Sequence, residues 1–303
     1  MHRVVIICGP TGVGKTSFAI QIAQKFNGEI VSADSMQIYQ HMDIGTAKPN
    51  SEELKLIRHH LIDVVDPKEE FDAGRFVRAA DEAIEDILSR GKTPIITGGT
   101  GLYIKALLNG LFRSEPICTK TLSRLTRELE EKGAHALHGQ LVECDPKAAN
   151  KIHPHDSFRV IRALEIFQTT GNRISDHQQG HNFDDQRYAG LKIGLWLERE
   201  KLYNRINQRV DTMLDNGLLN EVIGLVKKGY SLDLKSLQSI GYKHMVMFIR
   251  NEVDFPEATR LLKRDTRRYA KRQLTWFHKE RDIVWLEPSE IDASEKLIKE
   301  FLT

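Results

Sequence analysis

Residues 4–26 read VVIICGPTGVGKTSFAIQIAQKF, and this stretch decides the fold. Gly9, Pro10, Thr11, Gly12, Val13, Gly14, Lys15 and Thr16 fit G-x-x-x-x-G-K-[ST], the phosphate-binding P-loop. Before it, Val4, Val5, Ile6 and Ile7 form an apolar run short enough for a buried parallel strand. After it, Ser17 to Phe26 read as a helix with Phe18, Ile22 and Phe26 on one face. A strand, a Gly-rich turn and a helix N-terminus together make an anion site, because backbone N–H groups point inward and the helix dipole favours negative charge. Lys15 is placed to neutralise phosphate oxygens, and the Thr16 hydroxyl to hold Mg²⁺. A bound di- or triphosphate is therefore expected, with Mg²⁺ as cofactor.

Working outward, short apolar runs recur at Glu29–Asp34, His60–Val65 and Thr93–Thr97. Phe76, Ala80, Ala83, Ile84, Ile87 and Leu88 keep helical spacing between the last two. Strands alternating with helices predict an α/β fold, a P-loop NTPase-like parallel-sheet core. From Lys120 to Phe167 the patterns are helical only, and residues 171–187 are polar. Strand character returns at Leu191–Leu197 and Ile283–Leu286, with one long helix predicted from Arg199 to Lys228. The expected organisation is a catalytic core of residues 1–113 and 188–303, interrupted by a helical insertion over 114–187.

Composition excludes several classes. The 303 residues carry 28% charged and 40% hydrophobic side chains, as a globular protein does, and the net charge of +2 names no polyanionic partner by itself. Three cysteines without a C-x-x-C pair give neither a sequence-local zinc knuckle nor a disulfide framework. No apolar run approaches a membrane span, and the first strand starts too early for a signal peptide, so a soluble cytoplasmic chain without a membrane partner is expected.

P-loop ATPases and GTPases carry an acidic residue at the end of a later strand to hold Mg²⁺. Here the best such strand, TPIIT, runs into GGTGLY without a carboxylate. The loop can therefore cradle a pyrophosphate that belongs to another molecule. Asp34 ends the second predicted strand, on the sheet edge that the P-loop shares. It suits either a base facing the phosphates or, with Ser35, an N-cap of a short helix over Met36–His41. Near the C-terminus, Arg260, Lys263, Arg264, Arg267, Arg268, Lys271, Arg272, Lys279 and Arg281 are interleaved with Tyr269, Trp276, Phe277 and His278. Cations with stackable rings suit RNA, and a solvated helix face over core aromatics explains the same run.

Taken together, the motifs resemble one family, the tRNA dimethylallyltransferases, also called tRNA isopentenyltransferases, in their short bacterial form. The resemblance rests on GPTGVGKT (9–16), SADSMQIYQHMDIGTAKP (32–49), HHLIDVVDP (59–67) and GGTGLYIKALLNGL (98–111). IHPHDSFRVIRALE (152–165), RINQRVDTML (205–214), SIGYKH (239–244) and KRQLTWFH (271–278) continue it in collinear order. It departs in the insertion, where Leu122 stands at a position an arginine would suit.

The resemblance implies transfer of a dimethylallyl group from dimethylallyl diphosphate to the exocyclic amine of the adenosine 3′-adjacent to the anticodon, with release of diphosphate. A P-loop small-molecule kinase is the alternative. By resemblance, Asp34 is the general base, and Arg209 joins Lys15 and Thr16 on the diphosphate; a surface arginine is the plain alternative for Arg209. The tRNA anticodon arm would meet Asp34, Ser35, Met36 and Gln37, then Thr100, then Phe158, Arg159, Val160, Ile161 and Arg162. It would also meet Ser239, Ile240, Gly241, Tyr242, Lys243 and His244, and Lys271, Arg272, Gln273, Leu274, Thr275, Trp276, Phe277 and His278. Plain alternatives remain: Thr100 as a helix cap, Gly241-Tyr242 as a turn, Trp276 as core. A monomer is expected.

Overall fold

The computed structural model describes residues 1–110, 118–176, 186–280 and 282–303. The first residues of the expected insertion, much of the polar stretch 171–187, and Arg281 lie outside them. In chain order the elements are β1 (Arg3–Cys8), α1 (Lys15–Lys25), β2 (Gly28–Ser32), α2 (Ser51–Leu56), β3 (His59–His60), α3 (Ala73–Ser89), β4 (Thr93–Gly98) and α4 (Gly101–Asn109). Next come α5 (Thr119–Cys144), α6 (Pro146–Ala149) and α7 (Ser157–Thr170). The chain closes with β5 (Ala189–Leu195), α8 (Arg199–Asp215), α9 (Leu218–Lys227), α10 (Tyr242–Ile249), α11 (Phe255–Phe277), β6 (Ile283–Leu286) and α12 (Ile291–Leu302).

Six strands form one sheet in the order β3-β2-β4-β1-β5-β6, every pair parallel. β1 shows why. Val4 and Ile6 join the core that α3 and α10 cover, while Val5 and Ile7 join the core that α1 and α8 cover. Successive side chains point to opposite faces, so a strand covered on both sides must be apolar at every position. Because all strands run the same way, their C-terminal ends collect on one edge, and the P-loop leaves β1 there.

Three expectations are corrected. The run His60–Val65 gives only the short β3, because Leu61 and Asp63 take left-handed backbone (φ 62° and 58°) that ends pairing; Val65 returns as an isolated bridge to Tyr39. Residues 35–38 form turns instead of a helix over Met36–His41. The long helix from Arg199 to Lys228 is two helices, α8 and α9, broken where Gly217 adopts φ 92°.

Contacts group the chain into two units, Met1–Leu108 with Arg187–Thr303, and Asn109–Gln186. The second unit packs α5, α6 and α7 around Leu125, Leu137, Leu141, Val160 and Leu164. Its longest helix is interrupted at Gly133 (φ 80°, ψ 168°).

One loop of the first unit is held from a distance. Glu221 on α9 accepts the backbone N–H groups of Asp43 and Ile44 (both 2.8 Å) and Gly45 (3.1 Å), and the Tyr242 hydroxyl at 2.5 Å. Lys48 closes the loop onto Asp43 at 2.6 Å and onto the Tyr39 carbonyl at 2.6 Å. Gly45 packs against the Tyr242 ring, where an added Cβ would overlap the ring and a Leu218 methyl. Gly45→Ala should therefore lower stability by about 1–3 kcal/mol, the usual cost of overpacking a filled core. Urea unfolding with an unchanged midpoint would contradict this packing.

Candidate active site

The strand ends surround a cavity of about 310 Å³. Its walls include Gly14, Lys15 and Thr16 of the P-loop, Asp34 after β2, Thr97 on β4, and Arg209 on α8. Thr11, Gly12, Gly14, Lys15 and Thr16 of the sequence-predicted diphosphate residues meet Asp34 and Arg209 there; Gly9 and Pro10 are not in the lining, and Val13 is buried in the core.

Lys15 Nζ donates to the Gly9 and Pro10 carbonyls at 3.0 and 2.9 Å, folding the cation back over its own loop. Burial pulls its pKa from 10.5 to about 8, against the charge of Asp34, which favours the ammonium. Burial also lowers the Arg209 guanidinium, and Asp34 again opposes. Asp34 thus offsets only part of the desolvation of two cations, and an anionic ligand restores the interactions that burial removed.

Asp34 caps a turn where the sequence suggested a helix, and it also lines the cavity. Its Oδ1 accepts the Met36 and Gln37 N–H groups at 2.8 and 3.3 Å, capping a turn, while the residue lines the cavity. Neighbouring bonds fix that turn. Thr100 Oγ1 accepts the Ser35 N–H at 3.2 Å, so its hydroxyl serves this turn. Gln37 accepts the Ser32 hydroxyl at 3.1 Å and donates to the Ala47 carbonyl at 3.1 Å. Through Ala47 the turn rests on the loop that Glu221 holds.

The remaining candidate residues divide into presenting and supporting side chains. On α11 and its C-cap His278, Lys271, Arg272, Thr275 and His278 are exposed, Gln273 and Phe277 are buried, and Leu274 and Trp276 are half-buried, with Trp276 lying over Gly101. Of residues 239–244, Tyr242 and His244 are buried, Gly241 turns with φ 98°, and Ser239 donates to the Ser236 carbonyl at 2.7 Å. Burial holds the His244 imidazole below its ordinary pKa, and its Nε2 lies 3.3 Å from Asp265 Oδ2. Lys243 pairs with the same Asp265 at 3.1 Å, and Ile240 packs partly buried. In the second unit, Phe158 is 75% exposed, an unusual state for a phenylalanine, beside exposed Arg159. Val160 and Ile161 point into that unit's core, and Arg162 pairs with the buried Glu165.

Sequence reasoning did not place four residues at this site. Arg205 lines the cavity and its Nη1 donates to the Val13 carbonyl at 3.3 Å. Its spacing of four from Arg209 placed both on one helix face, which was a usable signal. Tyr269 lines the same cavity; burial and the charge of Asp34 raise its phenol, which stays protonated. Thr97 has an enclosed hydroxyl without a partner, and Glu221 holds the 43–45 backbone. Nothing local marks either one.

The Lys15 shift has a direct consequence. Between about 8 and 10.5 the folded protein has released the proton that an unfolded lysine keeps, so this group adds stability to the free protein as pH rises. An anion bound to the loop needs the ammonium, so its affinity should fall as pH rises through 8, and binding above that pH should take up a proton. Calorimetry of pyrophosphate binding in buffers of different ionisation enthalpy should register the uptake, and Lys15→Met should lack it. An equal dependence of the heat on buffer ionisation enthalpy in both proteins would overturn the assignment.

Comparison with known proteins places this architecture. The family model described as IPP transferase matches residues 37–280. A protein of Desulfosudis oleivorans named tRNA dimethylallyltransferase is 50% identical over 301 residues, covering 99% of this chain and 96% of that one. The full-length tRNA isopentenylpyrophosphate transferase of Bacillus halodurans superposes with a TM-score of 0.75 at 40% identity, over 100% of this chain and 97% of that one. A eukaryotic dimethylallyltransferase acting on tRNA gives a TM-score of 0.82 at 35% identity, over 98% of this chain and 78% of that one. With a P-loop, a facing carboxylate and near-complete coverage by these relatives, the chain belongs to the IPP transferase family.

Proposed function

We propose that this protein transfers a dimethylallyl group from dimethylallyl diphosphate to N6 of the adenosine at tRNA position 37, 3′-adjacent to the anticodon, in tRNAs reading codons that begin with U. The observation that carries this is the meeting of Lys15, Arg209 and Asp34 around one cavity at the strand ends. A kinase is not favoured, since the relatives named above are transferases acting on tRNA and β4 ends in Gly98 without a carboxylate.

In this reaction the bond between the allylic carbon and the diphosphate oxygen breaks, and its electron pair stays on the diphosphate. Lys15, Arg209 and the loop N–H groups stabilise that growing charge, where preorganised donors act most strongly. The N6 lone pair forms the new bond to carbon. N6 then loses a proton, which Asp34 accepts. The target base must leave its stack to reach the cavity. Exposed Phe158 offers a ring on which an unstacked base can rest, and Lys271 and Arg272 offer cations to the phosphates.

The cavity fits Mg²⁺ of a particular kind. It offers hydroxyls, Thr16 and the unpartnered Thr97, and among the described residues no cluster of three His, Cys, Asp or Glu could hold a metal. Mg²⁺ keeps several waters and binds through few protein oxygens plus substrate phosphates, so Thr16 would hold it with the diphosphate. When bound, it supplies further positive charge to the leaving group. Among the described residues no helix is long and apolar enough to cross a membrane. A cytoplasmic monomer meeting tRNA and the prenyl donor completes the proposal.

Mass spectrometry of an unmodified anticodon stem-loop, after incubation with protein, dimethylallyl diphosphate and Mg²⁺, tests this. One prenyl mass should appear on the adenosine; no gain on any loop would refute the assignment. Asp34→Ala should lower turnover by about 10²–10⁴-fold, the range of a lost general base, without weakening diphosphate binding, since it removes a like charge. Phe158→Ala should weaken stem-loop binding by about 1–3 kcal/mol, as lost base stacking does. Gel-shift titration giving an unchanged affinity would remove Phe158 from the interface.

A further inference from the structure

Gln273 stands out on α11 because its surroundings do not suit it. The buried stripe of that helix is Ala258, Leu262, Ala270, Gln273 and Phe277. Gln273 is 6% exposed, while its neighbours Lys271 and Arg272 face outward. A buried amide in an apolar stripe costs stability unless both of its halves are hydrogen-bonded. Here both are. Oε1 accepts the Thr11 N–H at 2.8 Å, and Nε2 donates to the Gly99 carbonyl at 3.0 Å. Only one orientation of the amide satisfies both partners, so its direction is fixed.

The two partners matter. Thr11 lies in the P-loop after β1, and Gly99 follows the end of β4. β1 and β4 are adjacent strands, with Cys8 beside Gly98. One side chain therefore ties together the two turns that leave neighbouring strands at the cavity. Gly99 carries no side chain where this contact is made; a Cβ there would overlap the Gln273 amide nitrogen. Lys15 bonds to Gly9 and Pro10, and Arg205 to Val13, while Gln273 ties the loop to α11.

We propose that Gln273 is a positioning residue for the diphosphate loop and not a reader of RNA. It holds Thr11 and Gly99 at the spacing that the P-loop needs to receive a diphosphate. This rests on the proposed function for the identity of the ligand, and it separates Gln273 from the exposed residues of the same segment, which the proposed function gives to tRNA.

The test is Gln273→Met, which keeps the length of the side chain and removes both hydrogen bonds. If Gln273 only filled the core, methionine would suit the stripe and change nothing. The expected result is a folded protein whose affinity for inorganic pyrophosphate with Mg²⁺ falls roughly tenfold by calorimetry, the scale of lost buried hydrogen bonds. In steady state, KM for the prenyl donor should rise while stem-loop affinity stays at the wild-type value. Unchanged pyrophosphate affinity, or a loss confined to stem-loop binding, overturns the proposal. The pyrophosphate titration needs no RNA, so it decides the role of Gln273 even if no stem-loop binds the wild-type protein. A second measurement does not depend on the variant folding. The Thr11 amide of the wild-type protein should be protected from hydrogen exchange, and exchange at the rate of an open loop would also overturn the proposal.

Discussion

Everything at the candidate site depends on parallel pairing of β1 between β4 and β5. Pairing in that sense sends the P-loop, the Asp34 turn and the Gly98-Gly99 turn to one edge of the sheet. Antiparallel pairing of either neighbour would carry its turn to the far edge and dissolve the cavity. The run Val4–Ile7 enforces the arrangement, because it has no polar face to offer solvent and must be covered by helices on both sides.

Covering the edge has an electrostatic cost. Lys15 and Arg209 lose hydration, and the Asp34 carboxylate compensates only in part. The free protein therefore holds its cations under tension that a diphosphate relieves. The backbone around them is tied from several directions: Arg205 at Val13, Gln273 at Thr11, Thr100 at Ser35, and Glu221 at residues 43–45. The loop is thus held before any ligand arrives, which limits the ordering that binding must later impose.

The P-loop and the parallel core were legible because each is written in contiguous residues whose spacing has one physical reading; Asp34 was legible as a strand-end residue, but two roles fitted it. Arg209 could be named only through the family resemblance, since its burial depends on how α8 crosses the loop. Glu221 was invisible: it is one acid on an amphipathic helix, and its partners are backbone N–H groups 176 to 178 residues earlier. The segment 271–278 showed its charge in sequence but not its division into exposed and buried faces, which follows from packing. The failed strand at His60–Val65 has a similar cause, because nothing in Leu61 or Asp63 announces left-handed backbone.

The first unit closes on itself where the second begins. The Arg187 N–H donates to the Leu108 carbonyl at 2.9 Å, and its guanidinium reaches the Leu107 carbonyl at 3.2 Å and Asp81 at 2.6 Å. The two cut ends of the core are therefore stitched together by the core's own bonds, as a short surface turn would be. Because loop-closure entropy grows only slowly with length, whatever the chain carries between those stitches burdens the core little. A change in the length of residues 109–186 would therefore leave these bonds at the core's own ends in place.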